Sequence, residues 1–189
     1  MGVVIPQVIT EDRSGSAQII DGGLRFDSAK SQYLKTTPGS AGNRKTFTWS
    51  GWVKRSTLGV SQSLFEAGSG SAYTLFWFNS SDQLAVLQDN GSGGVLTETS
   101  VAVYRDLGAY LHLVLSVDTT QSTASNRFRI YVNGTEATLT ETLTLSQNSD
   151  TYINFTNEHR IGYRVAGSAA LSSYLSNLYF IDGQALDPS

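Results

Sequence analysis

Between residues 110 and 137, hydrophobic and polar positions alternate in two runs. Leu111, Leu113, Leu115 and Val117 alternate with His112, Val114, Ser116 and Asp118, and Phe128, Ile130 and Val132 alternate with Arg127, Arg129, Tyr131 and Asn133. A period of two sends successive side chains to opposite faces, so each run reads as a β-strand. The first is apolar on nearly both faces, which predicts a central strand covered on both sides; the second has one wetter face. Asn133 and Gly134 follow, a pair that tolerates positive φ and marks a hairpin turn. Three consecutive antiparallel strands are expected here.

The same reading extends outward. Phe47, Trp49, Gly51 and Val53 share one face of a strand and Thr48, Ser50, Trp52 and Lys54 the other, so the two tryptophans point to opposite sides. Further strands are predicted near residues 24–26, 32–35, 64–67, 73–78, 83–87, 95–103, 139–145, 152–155, 160–163 and 174–181, separated by glycine, asparagine, aspartate and serine turns. Every helical candidate is interrupted by Ser, Thr or Gly. About a dozen short strands predict an all-β, two-sheet antiparallel jelly-roll sandwich over residues 16–189. Residues 1–15 precede it as an N-terminal arm or edge strand. Val3, Val4, Ile5, Val8 and Ile9 are β-prone, while Pro6 argues against a central strand. Two readings are open: an edge strand of this domain, or an assembly arm that adds a strand to a neighbouring subunit.

The phrases "HLVLSVD" and "RFRIYVNG", with "LRFDSAKSQYLKTT", "KTFTWSGWVKRS" and "HRIGYRVAGSAALSSYLSNLYFIDGQAL", resemble concanavalin A-like, laminin-G-like and pentraxin-like jelly rolls. More narrowly, "GSAGNRKTFTWSGWVKR" and "FIDGQALDPS" resemble lectin-like modules of tail-fibre and other virion proteins of bacteriophages, especially marine ones. That resemblance implies a non-enzymatic structural or adhesive virion module, either a tail-fibre or receptor-binding domain or a head-surface decoration subunit. Its partners would be other virion subunits, further copies of itself and host surface glycans. The alternative is a free carbohydrate-binding lectin, with calcium as the cofactor such relatives often use.

Composition narrows the chemistry. At 189 residues the chain suits one domain, able to bury roughly 70 % of its unfolded surface. The absence of cysteine excludes disulfides, thiolate metal sites and cysteine nucleophiles. A net charge of -3 with 15% charged residues offers no footprint for nucleic acid. No apolar run approaches the ~20 residues of a membrane helix, and residues 1–6 lack the pattern of a secretory signal. A soluble chain is expected, released by a route such as host lysis.

Candidate chemistry is sparse. Glucanases of this fold cluster carboxylates as Glu-x-Asp-x-x-Glu on one strand, a pattern missing here. Glu136 and Glu141 would fall on opposite faces of a continuous strand and read as solvated edge charges. His112 reads as a hydrogen-bonded packing residue and His159 as the start of a strand. With no Gly-x-Ser-x-Gly elbow, no catalytic residue is assigned. For calcium the best pair is Asp118 and Asn126, flanking one loop, with turn capping as the competing role. Asp82, Asp89 and Asp106 occupy other turns. For a sugar platform the candidates are Trp52, Tyr73, Trp77 and Tyr163, with Asn79 and Gln88 as amide partners and core packing as the competing role. Arg44-Lys45 and Lys54-Arg55, at the two ends of one strand, read as solvated termini or an inter-subunit contact.

Overall fold

The computed structural model describes residues 22–165 and 168–188. Val3, Val4, Ile5, Val8 and Ile9 lie outside the described residues. Thirteen strands are present among the described residues: β1 (Leu24–Phe26), β2 (Leu34–Thr36), β3 (Thr46–Arg55), β4 (Gln62–Ser69), β5 (Ala72–Phe78), β6 (Leu84–Asn90), β7 (Gly94–Ser100), β8 (Leu111–Asp118), β9 (Phe128–Val132), β10 (Thr135–Glu136), β11 (Leu139–Leu143), β12 (Glu158–Ile161) and β13 (Ser173–Asp182). The helical content described is two three-residue 3-10 turns, Ser28–Lys30 and Ala124–Asn126.

The strands form a six-stranded sheet, ordered β1-β13-β3-β8-β9-β10, and a seven-stranded sheet, ordered β11-β7-β6-β5-β4-β12-β2. All the pairings are antiparallel. This is the expected sandwich. The stretch 110–137 supplies β8, β9 and β10 in succession, and its turn has Asn133 at φ 51 and Gly134 at φ 81, the primed geometry that matches strand twist. β8 is interior to its sheet. Leu113, Leu115 and Val117 are fully buried on its inner face, and Val114 and Ser116 are nearly so on the outer one.

The core lies between the sheets. Phe47, Trp49, Val53, Leu113 and Leu115 of one meet Leu64, Phe76, Phe78, Val86 and Leu96 of the other, and Trp49 meets Phe76 edge-on at 5.4 Å. Gly51 also faces inward. A methyl there would stand 2.2 Å from Leu178, which enters at the β13 irregularity between Ser176 and Tyr179. The missing side chain is what admits that leucine.

One predicted strand is not a strand. Residues 152–155 form a turn, with Asn154 at φ 62, outside extended geometry. Side-chain bonds hold the segment: Asn154 N–H donates to His159 Nε2 (2.8 Å), and Thr151 Oγ1 donates to the Arg44 carbonyl (2.7 Å). Ile153, fully buried, joins the core cluster.

Candidate functional site

Alternation along β4 and β5 sends Phe65, Ala67, Phe76 and Phe78 into the core, so Glu66, Tyr73, Leu75 and Trp77 project from the outer face of the seven-stranded sheet. Strand register extends that face into a row, Lys35, Arg160, Glu66, Leu75 and Leu87. The chain after β12 crosses this face before entering β13. Val165 N–H donates to Glu66 Oε2 at 2.5 Å, Arg164 lies 4.5 Å over the Tyr73 ring, and Ser63 N–H donates to the Ala169 carbonyl. Glu66 and Leu75 are therefore fully buried although they point outward. Burial pushes the Glu66 carboxyl up to about 7, against the lowering pull of the Val165 N–H and the charges of Arg164 and Arg160.

At the margin of this crossing, Tyr33 and Tyr163 stack at 5.7 Å with 23° between their planes. Arg160 places its guanidinium 4.6 Å from the Tyr33 ring and donates to Glu158, which also pairs with Lys35 at 3.2 Å. Tyr33 remains 38% exposed and borders an open groove of about 440 Å³ that Arg25 and Gln32 help to line.

The four expected platform aromatics thus divide. Tyr73, Trp77 and Tyr163 share the outer face of the seven-stranded sheet, whereas Trp52 lies on the outer face of the other sheet, 5.0 Å from His112. Tyr73 is not an exposed platform: it is 6% exposed because Arg164 covers it. Trp77 is half-buried, and its indole Nε1 has no acceptor among the described residues. The amides proposed as their partners are occupied. Asn79 Oδ1 accepts from Ser81 and Gln83 N–H groups, and Gln88 points inward to bond Thr74 and the Asp150 carbonyl. Tyr33 and Arg160 were missed. "QYLK" and "HRIGYR" contain them, but the stack depends on β2 pairing with β12, more than a hundred residues away.

Asp118 and Asn126 serve different places. Asp118 Oδ1 accepts from Thr120 N–H and its hydroxyl, and Oδ2 from Gln121 Nε2, the geometry of a capped turn. Burial alone would raise its pKa, but those donors outweigh it and hold the carboxyl below its usual value. Asp89 and Asp106 likewise cap turns through Gly91 and Gly108 N–H. Among the described residues no three carboxylate or imidazole groups stand close enough to share a metal ion.

Asn126 instead lines a cleft of about 230 Å³ with Glu98, Glu136 and Glu141. Glu136 and Glu141 are exposed on edge strands, as expected of solvated edge charges; what differs is that they do not share a strand with opposite faces. The chain leaves the six-stranded sheet after β10 and joins the seven-stranded sheet as β11, so Glu136 and Glu141 are not on one strand and both reach the same cleft. Glu141 sits across from Glu98 in the β7–β11 register. Glu98 is 3% exposed, and burial together with the Glu141 charge pushes its carboxyl up to about 8.

The arginines of the two basic pairs are not solvated termini, whereas Lys45 and Lys54 stay partly exposed. Arg55 is 1% exposed; it pairs with Asp82 at 2.9 Å, donates to the Tyr104 carbonyl and lies over Phe78. Arg44 lies 4.1 Å over Phe155 and donates to the Thr151 carbonyl. His112 bonds Ser50 at 3.0 Å, and His159 accepts from Asn154; burial lowers the pKa of both, consistent with packing roles.

A family model described as the concanavalin A-like lectin/glucanases superfamily matches residues 27–188. A search of curated protein sequences finds no significant match. Among solved structures, mouse laminin alpha1 chain domains LG4-5 superpose with a TM-score of 0.61 at 13% identity, over 90% of this chain and 45% of that one. The heptameric SAP-like pentraxin of Limulus polyphemus gives 0.55 at 17% identity, over 82% and 70%. The CBM40 module of the Ruminococcus gnavus IT-sialidase, bound to alpha2,3 sialyllactose, gives 0.53 at 13% identity, over 84% and 94%. With two antiparallel sheets, as expected, and a family match across most of its length, the chain belongs to the concanavalin A-like lectin/glucanases superfamily.

Proposed function

We propose that this chain is a non-catalytic carbohydrate-binding module whose contact surface is the outer face of the seven-stranded sheet around Tyr33, Arg160 and Tyr163. The observation that carries the reading is the Tyr33–Tyr163 stack with Arg160 beside it, partly exposed at the edge of an open groove. Tyrosine rings offer apolar faces to sugar C–H groups, and the phenol hydroxyls and guanidinium N–H groups bond sugar oxygens. Likeness to a glycan-bound sialidase module supports it at the level of fold.

A glycan array probed with the full chain, with and without calcium, tests this. Tyr33→Ala and Tyr163→Ala should each weaken binding about tenfold, the scale of one lost aromatic contact, while Trp52→Ala on the opposite sheet leaves it unchanged. Retention of nothing on the array under either condition would sink the reading.

The finer placement, an adhesive or structural module on a bacteriophage particle made of several copies, is supported by "GSAGNRKTFTWSGWVKR" and "FIDGQALDPS" alone. Removing residues 1–9 would then leave a folded monomer that fails to assemble. A collapse in melting temperature instead would make that arm part of the core.

A further inference from the structure

The cleft between the β10 and β11 edges holds three carboxylates with no cation among them. Glu98 points inward from β7, like Leu96 and Ser100, is 3% exposed, and has no hydrogen-bond donor among the described residues. None of the ion pairs formed by the described residues involves Glu98, Glu136 or Glu141. A carboxylate held mostly out of water without a donor, as Glu98 is, favours its protonated form or a cation beside it. The lining here is otherwise mixed: Phe128, Ala137 and Leu139 are apolar, and Ser125 and Asn126 are neutral polar groups.

Size and spacing select the cation. About 230 Å³ is less than the roughly 300–1,000 Å³ of a drug-sized pocket and suits a single small ring. The carboxylates do not converge on a shared metal position. An ammonium group is satisfied by fewer carboxylates than a metal ion, and Glu98 and Glu141 face each other directly in the β7–β11 pairing.

We infer that this cleft is a subsite for the ammonium group of an unacetylated amino sugar, held between Glu98 and Glu141, with Asn126 and Ser125 bonding its ring hydroxyls and Glu136 at the solvated rim. The inference rests on the carbohydrate-binding reading but uses different residues from it. Acetylation removes the charge and leaves one N–H, so the acetylated sugar loses both attractions.

Calorimetric titration of the full chain at pH 7, with a glucosamine oligomer and its N-acetylated counterpart as probes, tests it. The amine oligomer should bind about tenfold tighter or better and release a proton, read from two buffers of different ionisation enthalpy, as Glu98 ionises. Glu98→Gln should remove both the preference and the proton release, with Glu141→Gln as a second variant should the first not fold. Tyr33→Ala should weaken both oligomers alike and keep the preference. Equal binding of the two oligomers, no binding of the amine, or calcium displacing the amine from the cleft would overturn it. An amine preference that persists while Tyr33→Ala has no effect would instead remove the outer-face reading and leave the cleft standing.

Discussion

Two buried carboxyls sit at different corners of the same sandwich, Asp82 at 3% exposure and Glu98 also at 3%. Burial alone would raise both. Asp82, however, accepts from Gly59 N–H, Arg55 and Arg105, and these donors hold it below the usual aspartate value. Glu98 has a like charge facing it and is pushed up to about 8. Desolvation acts on both; at Asp82 the donors outweigh it, whereas at Glu98 it is unopposed and the Glu141 charge adds to it. The Asp82 corner ties the turn after β3, the β5–β6 turn and the segment at Tyr104 into one framework, whereas Glu98 makes no ion pair among the described residues.

The largest effect is expected from breaking the first corner. Arg55→Met leaves a buried carboxylate short of a cation and should cost about 3–5 kcal/mol in urea unfolding; a loss below about 1 kcal/mol would mean that Arg105 and Gly59 alone satisfy Asp82.

Next comes the pH dependence of the second. Between the unfolded value of 4.5 and about 8, native Glu98 holds a proton that the unfolded chain releases, so its contribution is present at low pH and lost as pH rises. Glu98→Leu should thus gain about 1–3 kcal/mol at pH 8.5 and nearly nothing at pH 4. Equal gains at both pH values would show that packing, not ionisation, is responsible. Asp82 runs oppositely: its stabilisation is present above 3.8 and fades as pH falls through its lowered native value.

The smallest effect sharpens the origin of the difference. Glu141→Gln removes the facing charge and should lower the Glu98 pKa while stability at pH 5 hardly changes. Carboxyl resonances followed by NMR would show it, and an unmoved Glu98 would leave desolvation as the whole cause.

Both corners were only partly legible beforehand. Asp82 reads as a turn residue from "NSSD", which it is, and Arg55 reads as the solvated end of an alternating strand, which it is not, because the partner that buries it lies 27 residues away in another sheet. Glu136 and Glu141 are the exposed edge charges their sequence suggests, but their shared cleft was hidden for a related reason. Their spacing of five assigns faces only along one continuous strand, and the chain changes sheets between them. The aromatic site was half readable. Tyr163 and Trp77 could be named as candidates, but the covering of Tyr73 by Arg164 and the pairing of Tyr163 with Tyr33 are contacts between segments distant in sequence.

Alternation, the Asn133-Gly134 turn and the lack of any uninterrupted helical run determined strands, faces and an all-β sandwich, since those depend on neighbours two to four residues apart. Which outward face is crossed by another segment, which carboxyl meets an arginine and which meets another carboxyl were decided by tertiary structure alone. Burial and charge pairing are properties of groups brought together by folding, and no local period carries them.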